Sequence, residues 1–287
     1  MAVKLTGKEV AAAMTEVSAK RVEELKQKGV TPTLAIVRVG EKSGDLAYER
    51  GALKRAEKTG VRVEQFLFAE DVTQKDLTDA IHRINRDDGI HGVLLFRPLP
   101  SHLDEAAICE ELAPAKDMDG ITSGSMSGVF MGTGEGYPPC TAEACMAMLD
   151  HYGVELEGRR VTIMGRSLVI GRPVAMMAMK RNATITILHS RTRKEDFARA
   201  GREADVVIAA LGRAKMIGKD RLGEGQVILD VGINVDEEGH LCGDVDYDAV
   251  AEKASMITPV PGGVGNVTTA VLMNHVVRAA EKTLKQA

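Results

Sequence analysis

The sequence predicts an α/β protein of two domains, each built on a parallel sheet. Short apolar runs of strand type alternate with longer segments of helical period, which is the pattern of parallel strands joined by crossover helices. A stretch rich in glycine, serine and proline interrupts this alternation at residues 120–139, where we place the domain boundary or hinge. A chain of 287 residues is long enough for two modest domains.

The first half of the chain contains three predicted helices and three predicted strands. Thr6 followed by Glu9 resembles a capping box, and Gly29 ends the helix that follows this cap at about Lys28. The other predicted helices span residues 45–59 and 73–86, and the strands span 34–39, 61–68 and 92–96.

A second α/β series follows the predicted hinge. Its helices are predicted at 142–152, 172–181, 194–202 and 268–285, and its strands at 160–164, 184–188, 205–209 and 226–230. The last helix has no strand after it, so it closes the chain rather than leading into a further βαβ unit.

The composition narrows the class of protein. An apolar share of 44% with 27% charged residues is typical of a soluble globular protein, and a net charge of −4 gives no reason to expect nucleic-acid binding. No apolar run approaches the length of a membrane span, and the N-terminus lacks the apolar core of a signal peptide. The four cysteines show no CxxC pair and the seven histidines do not cluster. We therefore expect a cytoplasmic protein with free thiols and no metal site.

The turn after the predicted strand 160–164 has the composition of a phosphate-binding loop. Gly165 ends the strand, and Gly171 with Pro173 opens the next helix. Glycines let the backbone approach a pyrophosphate, and a helix N-terminus offers free N–H groups. The spacing Gly-x5-Gly differs from the usual Gly-x-Gly-x-x-Gly fingerprint, and such a turn also occurs in sheets that bind nothing.

The end of the next predicted strand, 184–188, favours NADP over NAD. An NAD site usually places Asp or Glu there to hold the ribose 2′-hydroxyl. This chain has Ser190 and Arg191 instead, and Arg166 lies in the glycine turn. Hydroxyl and guanidinium groups suit a 2′-phosphate, because arginine offers phosphate oxygens a fixed fork of donors.

Further segments complete a family pattern. They are KDMDG at 116–120, PCT at 139–141, DVGIN at 230–234, GDV at 243–245 and ITPVPGGVG at 257–265. With GRSLVIGRP they closely resemble the methylenetetrahydrofolate dehydrogenase/methenyltetrahydrofolate cyclohydrolase family over nearly the whole chain. The resemblance implies an N-terminal folate-binding catalytic domain at 1–140 plus 269–287 and a Rossmann-like NADP-binding domain at 141–268, with a cleft between them. It also implies a homodimer formed through the nucleotide domain and a role in one-carbon metabolism, including purine biosynthesis.

The resemblance also implies which residues form the site. Those expected to bind NADP are Gly165, Arg166, Ser167, Gly171, Ser190, Arg191 and Ile233. Those expected to bind folate are Tyr48 and Asp119, both also catalytic, and Pro261, Gly262 and Gly263. A carboxylate at Asp119 suits the pterin because it accepts hydrogen bonds from an amino-pyrimidine edge. Without the resemblance, Asp119 fits a turn before Gly120, and PVPGGVG fits a plain tight turn.

Two positions depart from the family pattern where the hydrolytic chemistry is expected. The family carries Tyr-x-x-x-Lys on its second helix; here Tyr48 is followed four residues later by Ala52. Lys54 lies about 240° around the helix from Tyr48 and is expected to face solvent. The family pattern Val-Gln-Leu-Pro-Leu-Pro is matched by Leu95-Phe96-Arg97-Pro98-Leu99-Pro100, so Phe96 replaces the glutamine that would contact the lysine. Asn266 is a milder change, in place of the proline usual after GGVG.

The two reactions of the family need different groups. Oxidation of 5,10-methylenetetrahydrofolate depends mainly on positioning folate against nicotinamide. Hydrolysis of the methenyl product needs water attack and proton transfers, hence a group with a tuned pKa, the role of the family lysine. The sequence therefore predicts an NADP-dependent dehydrogenase with weak or absent cyclohydrolase activity.

Three alternatives stay open from the sequence. One is the ordinary bifunctional enzyme, with Lys54 or Tyr48 recruited for hydrolysis. Another is an inactive folate or nucleotide binder that acts as a regulator. The third is a different NADP oxidoreductase, against which the order of the GRS, PVPGGVG and KDMDG segments counts.

Overall fold

The computed structural model describes residues 2–284, and the chain divides into two compact units. Within the described residues, the N-terminal unit comprises 12–140 with 269–284, and the C-terminal unit comprises 141–268 with 2–11. The sequence placed residues 1–11 in the N-terminal domain, whereas the described residues 2–11 pack with the C-terminal unit. Strand Val3–Lys4 pairs with Met256–Ile257 of the C-terminal unit, which binds the start of the chain to that sheet.

Helices are numbered in chain order. They are α1 (Gly7–Gln27), α2 (Ser43–Thr59), α3 (Gln74–Arg86), α4 (Glu105–Glu110), α5 (Ser123–Met131), α6 (Cys140–His151), α7 (Gly171–Met179), α8 (Lys194–Glu203), α9 (Tyr247–Val250) and α10 (Thr268–Thr283). Two short 3₁₀ turns occur at Pro114–Lys116 and Val264–Asn266. The predicted end of the last helix, Lys285, lies outside the described residues.

Strands are numbered in the same way. They are β1 (Val3–Lys4), β2 (Thr33–Val39), β3 (Arg62–Phe68), β4 (Gly92–Leu95), β5 (Arg160–Met164), β6 (Thr184–Leu188), β7 (Val206–Ala209), β8 (Val227–Asp230), β9 (Asn234–Val235), β10 (Leu241–Cys242) and β11 (Met256–Ile257).

The N-terminal unit is built on a three-stranded parallel sheet in the order β3-β2-β4. The central strand β2 is buried at every position, as its continuous apolar run predicts. Helix α3 covers the sheet with an apolar face of Leu77, Ile81 and Ile84. Thr73 caps this helix by accepting a hydrogen bond from the Asp76 N–H at 3.1 Å. Phe96 directly follows β4, whose residues are all buried, so this core fixes the position of Phe96.

The C-terminal unit contains a six-stranded parallel sheet in the order β1-β11-β8-β7-β5-β6. The chain leaves β5 for β6 on one side and returns to β7 on the other. The carboxyl ends of β5 and β7 therefore form the topological switch point, where ligands of such sheets bind. Strands β7 and β8 are apolar and almost wholly buried, so this crevice rests on a fixed core.

The segment predicted to be an irregular hinge, residues 120–139, contains a helix. Thr122 caps α5 by accepting the Ser125 N–H at 3.0 Å, and Gly132 ends it with φ of +69°. Gly124 and Gly128 lie within the helix and gave the segment its loop-like composition. The local capping residues outweigh the low helix propensity of these glycines.

Within residues 2–284 no helix is long and apolar enough to cross a membrane. In the same part of the chain, no group of three His, Cys, Asp or Glu side chains has the arrangement to hold a metal ion.

Candidate active site

The turn after β5 requires glycine at two positions. Gly165 has φ of +137°, and a Cβ there would lie 2.9 Å from the carbonyl carbon of Ala210, the residue after β7. A Cβ at Gly171 would lie 2.6 Å from the carbonyl carbon of Gly165. Backbone therefore packs against backbone at the switch point, and the first residue of α7 is held against the end of β5.

Ser167 shapes this turn from within. Its hydroxyl accepts the Ile170 N–H at 3.1 Å, and its carbonyl oxygen accepts the Arg172 N–H at 3.0 Å. The side chains of Arg166 and Ser167 remain exposed. The turn thus combines a fixed backbone, a helix N-terminus with its positive dipole end, and an exposed guanidinium group.

The residues after β6 form a second tight turn. His189 donates its N–H to the Thr192 hydroxyl at 3.0 Å, and its Nδ1 accepts the Arg191 N–H at 3.1 Å. Ser190 and Arg191 are exposed on this turn. Within residues 2–284 neither Arg166 nor Arg191 forms an ion pair with a carboxylate. Two guanidinium groups are therefore available to an anion at the carboxyl ends of adjacent strands.

Ile233 and the PVPGGVG segment line one pocket of about 190 Å³ in the C-terminal unit. Ile233 is 69% exposed, so its side chain is accessible in this pocket. Pro261, Gly262 and Gly263 line the same pocket. The structure therefore brings a residue expected to bind NADP together with three expected to bind folate.

Residue Gly7 holds the PVPGGVG segment in place, a role the sequence did not reveal. Its N–H donates to the Gly262 carbonyl oxygen at 2.9 Å. A Cβ at Gly7 would lie 2.9 Å from the carbonyl carbon of Gly263, so the start of α1 packs directly on the loop. This contact and the β1–β11 pairing explain why residues 2–11 belong to the C-terminal unit.

Two buried aspartates organise the loops that follow β7 and β8. Asp244 accepts the N–H of Gly212 at 3.1 Å and of Arg213 at 2.7 Å, and the Asn234 amide at 3.0 Å. Asp230 accepts the N–H groups of three further residues, Gly232 at 3.0 Å, Asp244 at 3.0 Å and Val245 at 2.8 Å. The DVGIN and GDV segments are thus explained as loop anchors.

The burial of Asp230 has an electrostatic cost that its partners reduce. Burial raises the pKa of the Asp230 carboxyl to about 6, whereas hydrogen bonds from Val245 and Asp244 act to lower it. A Cβ at Gly243 would lie 2.5 Å from the Asp230 carboxyl carbon, so glycine at 243 makes room for the carboxylate. A sequence signal existed, since each aspartate lies within two residues of a glycine, but it did not separate anchoring from ligand binding.

Asp119 and Asp117 of the N-terminal unit have different surroundings. Asp117 is fully buried and accepts the N–H groups of Ile121 at 3.0 Å and Thr122 at 2.8 Å, so it anchors the loop. Asp119 is half-buried, and its Oδ1 accepts the Cys140 N–H at 2.8 Å. Burial raises the pKa of the Asp119 carboxyl, although the Cys140 N–H acts to lower it.

Of the two departures from the family pattern, Phe96 contacts Tyr48 and Ala52 lies one helical turn from it in α2. The Tyr48 ring meets the Phe96 ring edge-on, with 5.9 Å between centroids and an interplanar angle of 81°. Phe96 is 8% exposed, and Ala52, one helical turn beyond Tyr48, is fully buried. Lys54 is exposed on another side of α2, as predicted. Apolar groups therefore occupy the positions where the family pattern has a lysine and a glutamine.

Comparison with known proteins identifies the family. Residues 5–119 match the model of the tetrahydrofolate dehydrogenase/cyclohydrolase catalytic domain, and residues 139–284 match that of its NAD(P)-binding domain. The chain belongs to the tetrahydrofolate dehydrogenase/cyclohydrolase family. The predicted membership and two-domain α/β fold are confirmed, and an unrelated NADP oxidoreductase is excluded.

Relatives in this family match over almost their entire length. The bifunctional protein FolD of Clostridioides difficile is 49% identical over 277 residues, which is 96% of each chain. The structure of the bifunctional FolD of Campylobacter jejuni has a TM-score of 0.95 at 35% identity, covering 99% of this chain and 100% of that one. The Trypanosoma brucei FolD, whose structure contains NADP cofactor and an inhibitor, has a TM-score of 0.92 at 31% identity and covers 99% of both chains.

Proposed function

We propose that this chain oxidises 5,10-methylenetetrahydrofolate to 5,10-methenyltetrahydrofolate with NADP, and hydrolyses the product weakly or not at all. The observation that carries this proposal is that Ala52 and Phe96, both buried, stand in place of the family lysine and glutamine, with the Phe96 ring packed on Tyr48. Of the residues expected to bind the nucleotide, the arginines and serines are exposed. The two glycines, Gly165 and Gly171, are packed against backbone in the turn. The dehydrogenase half of the family chemistry thus keeps its groups, while the hydrolytic half lacks two.

The C-terminal unit fits NADP in backbone shape and in charge. Gly165 and Gly171 hold the α7 amino end where a pyrophosphate is expected, and a side chain at either position would collide with backbone. Arg166, Ser190 and Arg191 would hold the 2′-phosphate, since both guanidinium groups are exposed and without a carboxylate partner in residues 2–284. When bound, NADP supplies the two-electron oxidising power of the reaction.

The N-terminal unit supplies the folate contacts. Asp119 would accept hydrogen bonds from the amino-pyrimidine edge of the pterin through Oδ2, while its Oδ1 stays fixed by the Cys140 N–H at 2.8 Å. Tyr48 would contact the folate near the reacting carbon, with its ring held edge-on by Phe96. Oxidation leaves a methenyl cation and needs no protein base, so these residues act by orienting the substrate.

Hydrolysis of that cation requires a group that takes and returns protons. Ala52 has none, and Phe96 cannot orient a water by hydrogen bonding. Arg97 stays protonated, and its guanidinium lies 3.5 Å from the Glu105 carboxylate. Lys54 is exposed on a different side of α2, which speaks against its recruitment.

Glu49 is the remaining buried carboxylate of this helix, and it is committed elsewhere. Its Oε2 accepts the Arg38 Nε–H at 2.6 Å. The alternative of a fully bifunctional enzyme therefore depends on the Tyr48 hydroxyl alone. A neutral phenol must lose its own proton before it can accept one from water.

We further propose a cytoplasmic homodimer joined through the C-terminal unit. All four cysteines are buried free thiols, which suits a reducing compartment. Strand β6 is an edge of its sheet, with Ile185 and Ile187 only half-buried. An edge strand offers unpaired backbone groups to a second copy.

The proposal is tested by mixing purified protein, NADP and methylenetetrahydrofolate and following NADPH by absorbance. We expect NADPH to form, whereas an inactive binder would form none. The companion variant combines Ala52→Lys with Phe96→Gln and is expected to gain hydrolysis of methenyltetrahydrofolate. The two single variants, Ala52→Lys and Phe96→Gln, are the matched controls for the double variant. A lysine at 52 lacks its hydrogen-bonding partner unless glutamine is present at 96. No gain in the double variant would contradict the assignment of the loss to this pair of positions.

A further inference from the structure

A buried ion pair lies next to Tyr48 and has no part in the proposed chemistry. Arg38 of β2 donates through Nε to Oε2 of Glu49 on α2 at 2.6 Å, and the two side chains are 7% and 6% exposed. Arg38 also donates to the Gly40 carbonyl oxygen, and the Gln65 amide of β3 donates to the other Glu49 oxygen. Both charges are therefore partnered on more than one side, as burial requires.

The first half of α2 is weak as an isolated helix. Lys42 provides no side-chain cap at its amino end. Gly44 and Gly51 both lower its helix propensity. Neither glycine is required by crowding, since a Cβ at Gly51 would meet only the Thr269 methyl at 3.9 Å and one at Gly44 nothing within 4 Å. Tyr48 lies between these glycines, so its position depends on tertiary contacts rather than on the helix itself.

The ion pair supplies such a contact from the sheet that also holds Phe96. Arg38 follows Val37 in β2, and the Val37 carbonyl oxygen accepts the Phe96 N–H at 2.9 Å. Glu49 follows Tyr48 in α2. One strand is thus bonded to Phe96 through the backbone and to Glu49, the residue after Tyr48, through the ion pair. The second half of α2 is held separately, by the Arg55 guanidinium donating to Thr15 at 2.8 Å.

We propose that Arg38 and Glu49 are positioning residues that hold the Tyr48 hydroxyl toward the folate. This inference rests on the proposed function, because it takes Tyr48 as a folate contact. A purely structural ion pair would change the stability of the N-terminal unit without a specific effect on folate. A positioning pair changes the kinetics toward folate and acts through the Tyr48 hydroxyl.

The experiment uses the double variant Arg38→Met with Glu49→Met. It removes both charges together, so that neither remains buried without its partner. The matched control is Arg21→Met with Glu281→Met, an ion pair of 2.6 Å between α1 and α10 of the same unit. We expect the first variant to raise KM for methylenetetrahydrofolate about tenfold, because small misplacements of a positioning group have large kinetic effects. KM for NADP should not change, and the control should change neither constant.

The deciding measurement repeats the variant in a Tyr48→Phe background. If the pair acts through the hydroxyl, its removal there should change KM for folate by less than about twofold, since the two effects are then coupled. An equal change in both backgrounds would overturn the proposal, as would a shift in Tm with unchanged KM.

Two further measurements keep the test decisive. If the double variant does not fold, Gln65→Ala removes one contact to Glu49 and leaves the pair; a smaller rise in folate KM, absent in Tyr48→Phe, is then expected. Hydrogen exchange over residues 44–50 should accelerate in either variant but not in the control. The exchange rates do not depend on turnover. If the wild-type protein has no dehydrogenase activity, the proposed function is refuted, but the exchange rates still test whether the ion pair positions Tyr48.

Discussion

The two units differ in how they use charge at their candidate sites. In the C-terminal unit, Arg166 and Arg191 are exposed and unpaired within the described residues, and the buried aspartates serve only to hold loops. In the N-terminal unit, the Asp119 carboxylate accepts the Cys140 N–H, the Phe96 ring packs on Tyr48, and Ala52 is buried one helical turn beyond Tyr48. Groups proposed to bind ligands are present in both units, but the N-terminal unit has Ala52 and Phe96 at the family lysine and glutamine positions. Under the proposed function, the comparison teaches that one fold can retain oriented binding after losing acid–base chemistry.

The largest expected effect is on NADP binding at the glycine turn after β5. Gly165→Ala should lower NADP affinity by about a hundredfold, because a Cβ forced against backbone costs roughly 1–3 kcal/mol in shifted structure. Gly225→Ala is the matched control, since Gly225 lies in the same unit with φ of +72° and nothing within 4 Å of an added Cβ. Isothermal titration with NADP measures both. Equal losses would mean that positive φ, and not the backbone contact with Ala210, explains the effect.

A substitution at Asp119 tests its proposed contact with the folate. Asp119→Asn should lower kcat/KM for methylenetetrahydrofolate by about ten- to a hundredfold, the range expected for hydrogen bonds to a charged group. Asp88→Asn, an exposed aspartate of the same unit, is the control.

The pH dependence of the same reaction has a defined sign. Burial raises the pKa of the Asp119 carboxyl, so the accepting carboxylate is lost as pH falls through a value above the usual range for aspartate. Wild-type kcat/KM should therefore fall on the acid side, and Asp119→Asn should lack this limb. Titration of the substrate itself appears in both proteins and cancels in the comparison. Identical profiles would exclude ionised Asp119 as the pterin contact.

The smallest expected effect concerns the choice between NADP and NAD. Arg191→Ala should raise KM for NADP about tenfold and leave KM for NAD unchanged, because only the 2′-phosphate needs the guanidinium. Arg199→Ala is the control, since Arg199 is exposed on α8 and paired with Asp196. A parallel rise for both nucleotides would place Arg191 at the pyrophosphate or in the loop structure instead.

Local sequence signals predicted most of the elements that carry the site. The strands before Gly165 and Phe96 and the ends of α2 and α3 lie where periodicity and helix-stop signals predicted them to within one residue. The exposure of Lys54 followed from helix geometry alone. These features depend on neighbours within a few residues, which the sequence displays directly.

The remaining features depend on partners far along the chain. Strand β1 has only two residues, and its partner β11 begins at Met256. The contact between Gly7 and Gly262 and the anchoring by Asp230 likewise join segments that no local pattern relates. The Arg38–Glu49 pair joins an otherwise apolar strand to a helix. Seen in the sequence alone, either charge contradicts the burial of its position, and only the partner explains it.

The central claim is that oxidation survives in this chain and hydrolysis does not. The most direct test assays both activities on one preparation, with NADPH formation from methylenetetrahydrofolate in one cuvette and disappearance of methenyltetrahydrofolate in another. We predict clear NADPH formation, with hydrolysis at the rate of buffer alone. Hydrolysis well above the buffer rate would contradict the account and favour the ordinary bifunctional enzyme.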